Sequence, residues 1–134
     1  MNETALQNPL TNLSEFTRAY IVAALWTFDE DAPSGEYEDS GRIEELAPRI
    51  HPDSLASMTQ EAGEFHSLNG HLWKDHYSDD RAGHDFWLTR NGHGAGFWDR
   101  DELPDEIGKQ LTDAAHKCGE RYLYYGDDGK IYCE

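Results

Sequence analysis

Cysteine is scarce in this chain, basic residues are outnumbered by acids, and no hydrophobic run is long. Two cysteines, Cys118 and Cys133, are too few for a disulfide framework and too far apart for a Cys-x-x-Cys pair, so a reducing compartment is the simplest setting. The longest mainly apolar run, AYIVAALW at 19–26, is too short to span a bilayer. The opening MNETALQNPLTNLSEF lacks the basic and apolar regions of a secretory signal. Neither export nor membrane insertion is expected. Eleven Lys and Arg stand against 27 Asp and Glu, a net charge of -16, where a small soluble domain carries a magnitude of ~2 to 8. Nucleic acid and anionic lipid repel such a surface, which argues against direct binding to either.

Aromatic residues are plentiful. Four Trp, seven Tyr and five Phe in 134 residues supply the apolar area that disordered acidic chains lack. The length fits a single domain over 1–134.

Ser14 is placed as an N-cap with Glu15 behind it, and FTRAYIVAALWTF runs on without Gly or Pro, predicting a helix over 14–28. That helix is apolar nearly all round and is expected to be central and buried. DEDAPSGEYEDSG at 29–41 reads as an acidic loop, and RIEEL at 42–46 as one short helical turn. Pro52 suits the first position of a helix over 52–69, where Leu55, Met58, Ala62, Phe65 and then Leu72 recur near helical spacing. Pro104, Asp105 and Glu106 open a helix over 104–118 with a buried stripe of Ile107, Leu111, Ala114 and Cys118, closed by Gly119. RYLYY and KIYC around Gly126-Asp127-Asp128-Gly129 predict a hairpin over 121–133.

The stretch AGHDFWLTRNGHGAGFWDR at 82–100 is the densest in chemically capable side chains. DFWLTR and AGFWD alternate about Asn91-Gly92-His93-Gly94, which predicts a hairpin over 85–99. One face, the better core, would then carry Phe86, Leu88, Ala95 and Phe97 with His84, Arg90 and Asp99, and the other Asp85, Trp87, Thr89, Gly96 and Trp98. The expected fold class is α+β, with a helical N-terminal half followed by hairpin, helix and hairpin in a small antiparallel sheet.

Most catalytic readings fail on spacing. The seven histidines form no His-Glu-x-x-His and no zinc-finger pair, and a hairpin would hold His84 and His93 at opposite ends, so no metal is expected. No Gly-x-Ser-x-Gly is present, neither cysteine has a catalytic setting, and no catalytic residue or cofactor is assigned. YGDDG at 125–129 is similar to the GDD turn of RNA-dependent polymerases, but the other polymerase motifs and the length are missing, so it reads as a turn. The glycines of NGHGAG could cradle a phosphate, yet no helix follows to present its N-terminus. Trp87 and Trp98 are either covered by a helix or left as an anchor for a partner.

AGHDFWLTRNGHGAGFWDR, followed by a short helix and LYYGDDGKIY, resembles a family of small proteins encoded widely by tailed bacteriophages, most of them uncharacterised. The likeness covers about residues 79–132, with a weaker echo in the AALW helix. It implies a phage product acting in the bacterial host cytoplasm and carries no activity or catalytic residues.

Two function classes follow. The first is a non-enzymatic inhibitor that binds a host protein, with acids imitating nucleic acid. Sixteen net charges match roughly 27 Å of B-form duplex at ~1.7 Å per charge, a length that one face of a globule with a radius of gyration near ~14 Å can carry. Its targets would be nucleic-acid-binding or defence enzymes, such as restriction enzymes, CRISPR effectors, recombination nucleases or gyrase. The partner-binding candidates are Asp29, Glu30, Asp31, Glu36, Glu38, Asp39, Glu44, Glu45, Trp87 and Trp98. The second class is a small enzyme or ligand-binding module centred on 84–99, using His84, Asp85, Arg90, Asn91, His93 and Asp99.

Overall fold

Capping residues mark several of the helix ends. The computed structural model describes residues 9–28, 40–93 and 95–134. Helix α1 (Glu15–Phe28) starts behind Ser14, whose Oγ accepts from the Thr17 N–H at 3.2 Å. It is buried nearly all round, as its composition predicts. Helix α2 (Ser40–Leu46) leads through a 3-10 turn at Ala47–Arg49 to α3 (Pro52–Trp73). Helix α3 outruns its expected end at residue 69. Gly63 and Gly70 lie inside it without breaking it, because Phe65 and Trp73 are drawn into the core on either side of Gly70.

Helix α5 (Asp105–Lys117) follows Pro104 and ends at Gly119, which takes φ +81°. Leu111 and Ala115 form its buried line, with Ile107 and Ala114 half-buried. Cys118, expected in that stripe, is exposed because it lies past the last turn of the helix. Strands β1 (Leu123–Tyr125) and β2 (Ile131–Cys133) pair antiparallel, with Tyr124 opposite Tyr132. In the connecting loop Asp128 accepts from the Lys130 N–H at 3.0 Å and the Tyr132 hydroxyl at 2.7 Å, so this acid shapes the turn. Ile131 bridges Ile50, and the Cys133 N–H donates to Ser54 Oγ at 3.0 Å, which docks the hairpin on the start of α3. The chain is α+β with a two-stranded antiparallel sheet at its C-terminus.

The hairpin expected over 85–99 is absent. Asp79–Arg90 form helix α4, and Phe97–Asp99 a 3-10 turn. Ser78 caps α4 by accepting from the Arg81 N–H at 3.2 Å, and Asp79 and Asp80 fill its first turn. Asn91-Gly92, read as a hairpin turn, is the helix C-cap. Gly92 takes φ +70°, its N–H donates to the Thr89 carbonyl at 3.2 Å, and the His93 N–H donates to that of Leu88 at 3.0 Å, the bond pair of a Schellman motif. Every residue from Asp85 to Arg90 is buried, so the predicted alternation of faces does not exist.

Helix α4 packs lengthwise on α1. A Cβ on Gly83 would lie 2.1 Å from the Phe16 carbonyl oxygen, so glycine is what lets the two backbones approach. Around this pair Phe16, Phe65, Trp73, Phe86 and Phe97 stack into an aromatic core, with Phe65 and Phe86 centroids 3.9 Å apart. Burial of Phe86, Leu88 and Phe97 agrees with expectation, although it is reached on a helix and a turn. Among the described residues no helix is long and apolar enough to cross a membrane.

Candidate functional site

The polar residues of 84–100 divide by direction, and the inward set comes first. Arg90 is 2% exposed. Its Nε and Nη2 donate to the carbonyls of Gly119 and Cys118 at 2.7 and 2.8 Å, where a guanidinium complements the negative end of α5. Its Nη1 lies 3.0 Å from the Tyr20 hydroxyl and 2.8 Å from Glu61 Oε1, and Arg121 Nη1 reaches the same carboxylate oxygen at 2.9 Å. Burial pushes the Glu61 pKa upward, but hydrogen bonds from Arg90 and Arg121 outweigh it and hold the carboxyl below the usual range.

Asp85, itself buried, accepts from Arg100 Nε at 3.0 Å, Arg100 Nη2 at 2.7 Å and the Tyr77 hydroxyl at 2.8 Å. This bidentate pair ties the chain after the 3-10 turn back to α4. Thr89 Oγ1 accepts from the Phe97 N–H at 3.0 Å, and a Cβ on Gly96 would sit 2.2 Å from that oxygen. Asn91 donates to the Trp87 carbonyl at 3.1 Å and accepts from the Arg121 N–H at 2.8 Å. Trp87, a candidate for partner binding, is instead 3% exposed and donates from Nε1 to Thr27 Oγ1 at 2.8 Å. It is buried because the helix turns it toward α1. Asp85, Arg90 and Asn91 therefore hold the fold, and none is left free for chemistry.

The outward set differs. Trp98 is 56% exposed, and Asp99, Asp101, Glu102, Asp105 and Glu106 are all exposed beside it in sequence. The backbone carrying them is fixed from below by buried Phe97, by the Asp99 N–H donating to the Gly96 carbonyl at 3.0 Å, and by the Arg100–Asp85 pair. A groove of about 290 Å³ runs from Trp98 past Leu103 and Asp105 to Lys109 on α5. His93 is exposed, past the end of α4. Glu44 and Glu45 are exposed on α2, an element that packs against α1 rather than carrying the Trp98 shelf. Asp29, Glu30, Asp31, Glu36, Glu38 and Asp39 lie outside the described residues.

Burial raises the Cys133 thiol pKa to about 11, and partial desolvation pushes that of the more exposed Cys118 up as well, so neither is a thiolate near neutrality. Among the described residues no group of three or more His, Cys, Asp and Glu could hold a metal ion. Tyr20, Glu61 and Arg121 complete the Arg90 network without any local spacing that marks them. Only a lone Tyr in an apolar helix and a Glu on the core-facing side of another hint at buried polar partners. No protein-family model matches the chain, and no curated protein or solved structure matches it.

Proposed function

We infer that the chain is a non-enzymatic binding protein whose partner is a basic surface of another protein, engaged through the shelf at 98–106. The observation carrying this reading is Trp98. Trp73 and Trp87 are buried and Trp26 is half-buried, whereas Trp98 stands exposed on a braced turn with acids following it. A fixed tryptophan offers a large apolar contact at little ordering cost, the usual make-up of an interface anchor. The acids around it select Lys and Arg at the rim of the partner's notch and steer its approach. The likeness to tailed-phage proteins makes a bacterial host protein the partner, and the charge makes a nucleic-acid-binding or defence enzyme the class to be inhibited by imitation of nucleic acid.

The test is capture from a bacterial lysate on the immobilised protein at low and at physiological salt, with duplex DNA as competitor. Retention of a protein that DNA and salt displace, and that Trp98→Ala loses, is the expected result. Two triple variants assign the acids: Asp99→Asn with Asp101→Asn and Asp105→Asn on the shelf, and Glu36→Gln with Glu38→Gln and Asp39→Asn in the acidic run of the sequence at 29–39. Flattened salt dependence in the shelf variant supports the shelf. An unchanged association in both variants, with no competition by DNA, overturns imitation of nucleic acid, and retention unaltered by Trp98→Ala overturns the anchor.

A further inference from the structure

A cavity of about 300 Å³ opens between α1 and α4, bordered by Arg18, Ala19 and Val22 on one side and by Arg81, His84 and Arg100 on the other. Three of the chain's eleven basic residues thus border one cleft of a protein with 27 acids. Arg81 pairs with Glu102 and lies over the Tyr77 ring. Arg100 commits Nε and Nη2 to Asp85. The Arg18 guanidinium makes no hydrogen bond or ion pair with any described residue, although Asp80 borders the same cavity.

The two acids of the lining do not reverse its sign. Asp85 is neutralised by Arg100 and capped by the Tyr77 hydroxyl, and Arg81 is neutralised by Glu102, which leaves the Arg18 guanidinium and Asp80 as the remaining charges of the lining. His84 is half-buried with its ring 5.3 Å from that of Trp26. Burial lowers its pKa and Arg100 adds to the effect against the opposing pull of Asp85 and Asp80, so the imidazole is neutral near pH 7 and can donate or accept one hydrogen bond. Ala19 and Val22 form an apolar wall.

We propose that this cleft binds a small organic anion, its carboxylate or phosphate headgroup held by Arg18 and the free Nη1 edge of Arg100, and its apolar part against Ala19 and Val22. A guanidinium fork matches two oxygens of such a headgroup. The volume stands at the low end for ligand cavities, which limits the occupant to about one ring or a short chain. The cleft opens between α1 and α4 and does not include Trp98, although Arg100 borders both it and the Trp98 groove, and binding here needs no partner protein.

The test uses the purified full chain with phenyl phosphate, benzoate, inorganic phosphate and, as an uncharged control, benzyl alcohol, each at millimolar concentration. His84 ring signals followed by NMR report occupancy. Saturable shifts with phenyl phosphate or benzoate, and none with benzyl alcohol, are expected, and the stronger of the two identifies the headgroup. Arg18→Gln should weaken binding by at least about tenfold, the loss of one charge-assisted contact, while leaving the melting temperature unchanged. A response to inorganic phosphate as strong as to phenyl phosphate would contradict the apolar wall. No shift with any anion, or equal binding by Arg18→Gln, overturns the proposal. Lysate capture by the shelf can succeed or fail independently of these results.

Discussion

The inner and outer sides of the segment from His84 to Glu106 carry similar residue types to opposite ends. Inside, Asp85, Arg90 and Asn91 have their polar groups satisfied by Arg100, Tyr77, Glu61, Tyr20, Arg121 and backbone carbonyls. Outside, Trp98, Asp99 and Asp101 are exposed on a turn that those inner bonds hold in place. A residue with a charged or aromatic side chain in a dense stretch is thus no indication of chemistry until its direction is known. The inner set fixes the platform and the outer set is left facing solvent.

Breaking the inner side should have the largest effect. Arg90→Met leaves Tyr20 and two carbonyls without their donor and is expected to destabilise the protein by about 3–5 kcal/mol, read as a lower midpoint of urea unfolding at unchanged slope. Gly83→Ala comes next. Its new methyl group must push α4 from the Phe16 carbonyl, at about 1–3 kcal/mol by the same measurement.

Acid titration sharpens the contrast between the Arg90 network and the α1–α4 cleft. The Glu61 carboxyl is held below its ordinary value, so its contribution is complete above the unfolded pKa of ~4.3 and is lost as pH falls through the lower folded value. The His84 pKa is also depressed, and here the unfolded chain takes up the proton first. Stability therefore rises with pH between the folded value and the unfolded value of ~6.5. Glu61→Gln should flatten the first slope alone, and His84→Ala the second alone.

The smallest effect on stability belongs to the outer side. Trp98→Ala should change the unfolding free energy by no more than ~0.5 kcal/mol, as expected of an exposed site, while removing captured partner. A large loss of stability would move Trp98 into the scaffold and undo the division.

Local signals made much of this fold legible. Ser14 placed α1, Pro52 placed α3, Pro104 placed α5, and GDDG between tyrosine-rich runs placed the C-terminal hairpin. The failure at 85–99 has a physical cause. A Schellman end and a hairpin turn both require a positive φ, and Asn-Gly satisfies either. Periodicity could not arbitrate, because a helix enclosed on all sides buries Asp85 and Arg90 along with Phe86 and Leu88 and displays no polar face. The stronger clue was Ser78 followed by Asp79 and Asp80, an N-cap and acidic first turn. At the site, the exposed Trp98 was among the candidates, but the burial of Trp87 was beyond reach once its element was misread. Glu61 meets Arg90 and Arg121 from elements far apart in sequence, so no short motif contains the network.

The most direct test is a double-mutant cycle on Asp85 and Arg100, with Asp85→Asn, Arg100→Met and the double variant compared by urea unfolding. If the polar residues of this segment brace the fold, the pair should couple by about 1–3 kcal/mol, the double variant losing much less than the two single losses combined. Losses that simply add to within ~0.5 kcal/mol would contradict the bracing role and return Asp85 to the set of residues held ready for chemistry.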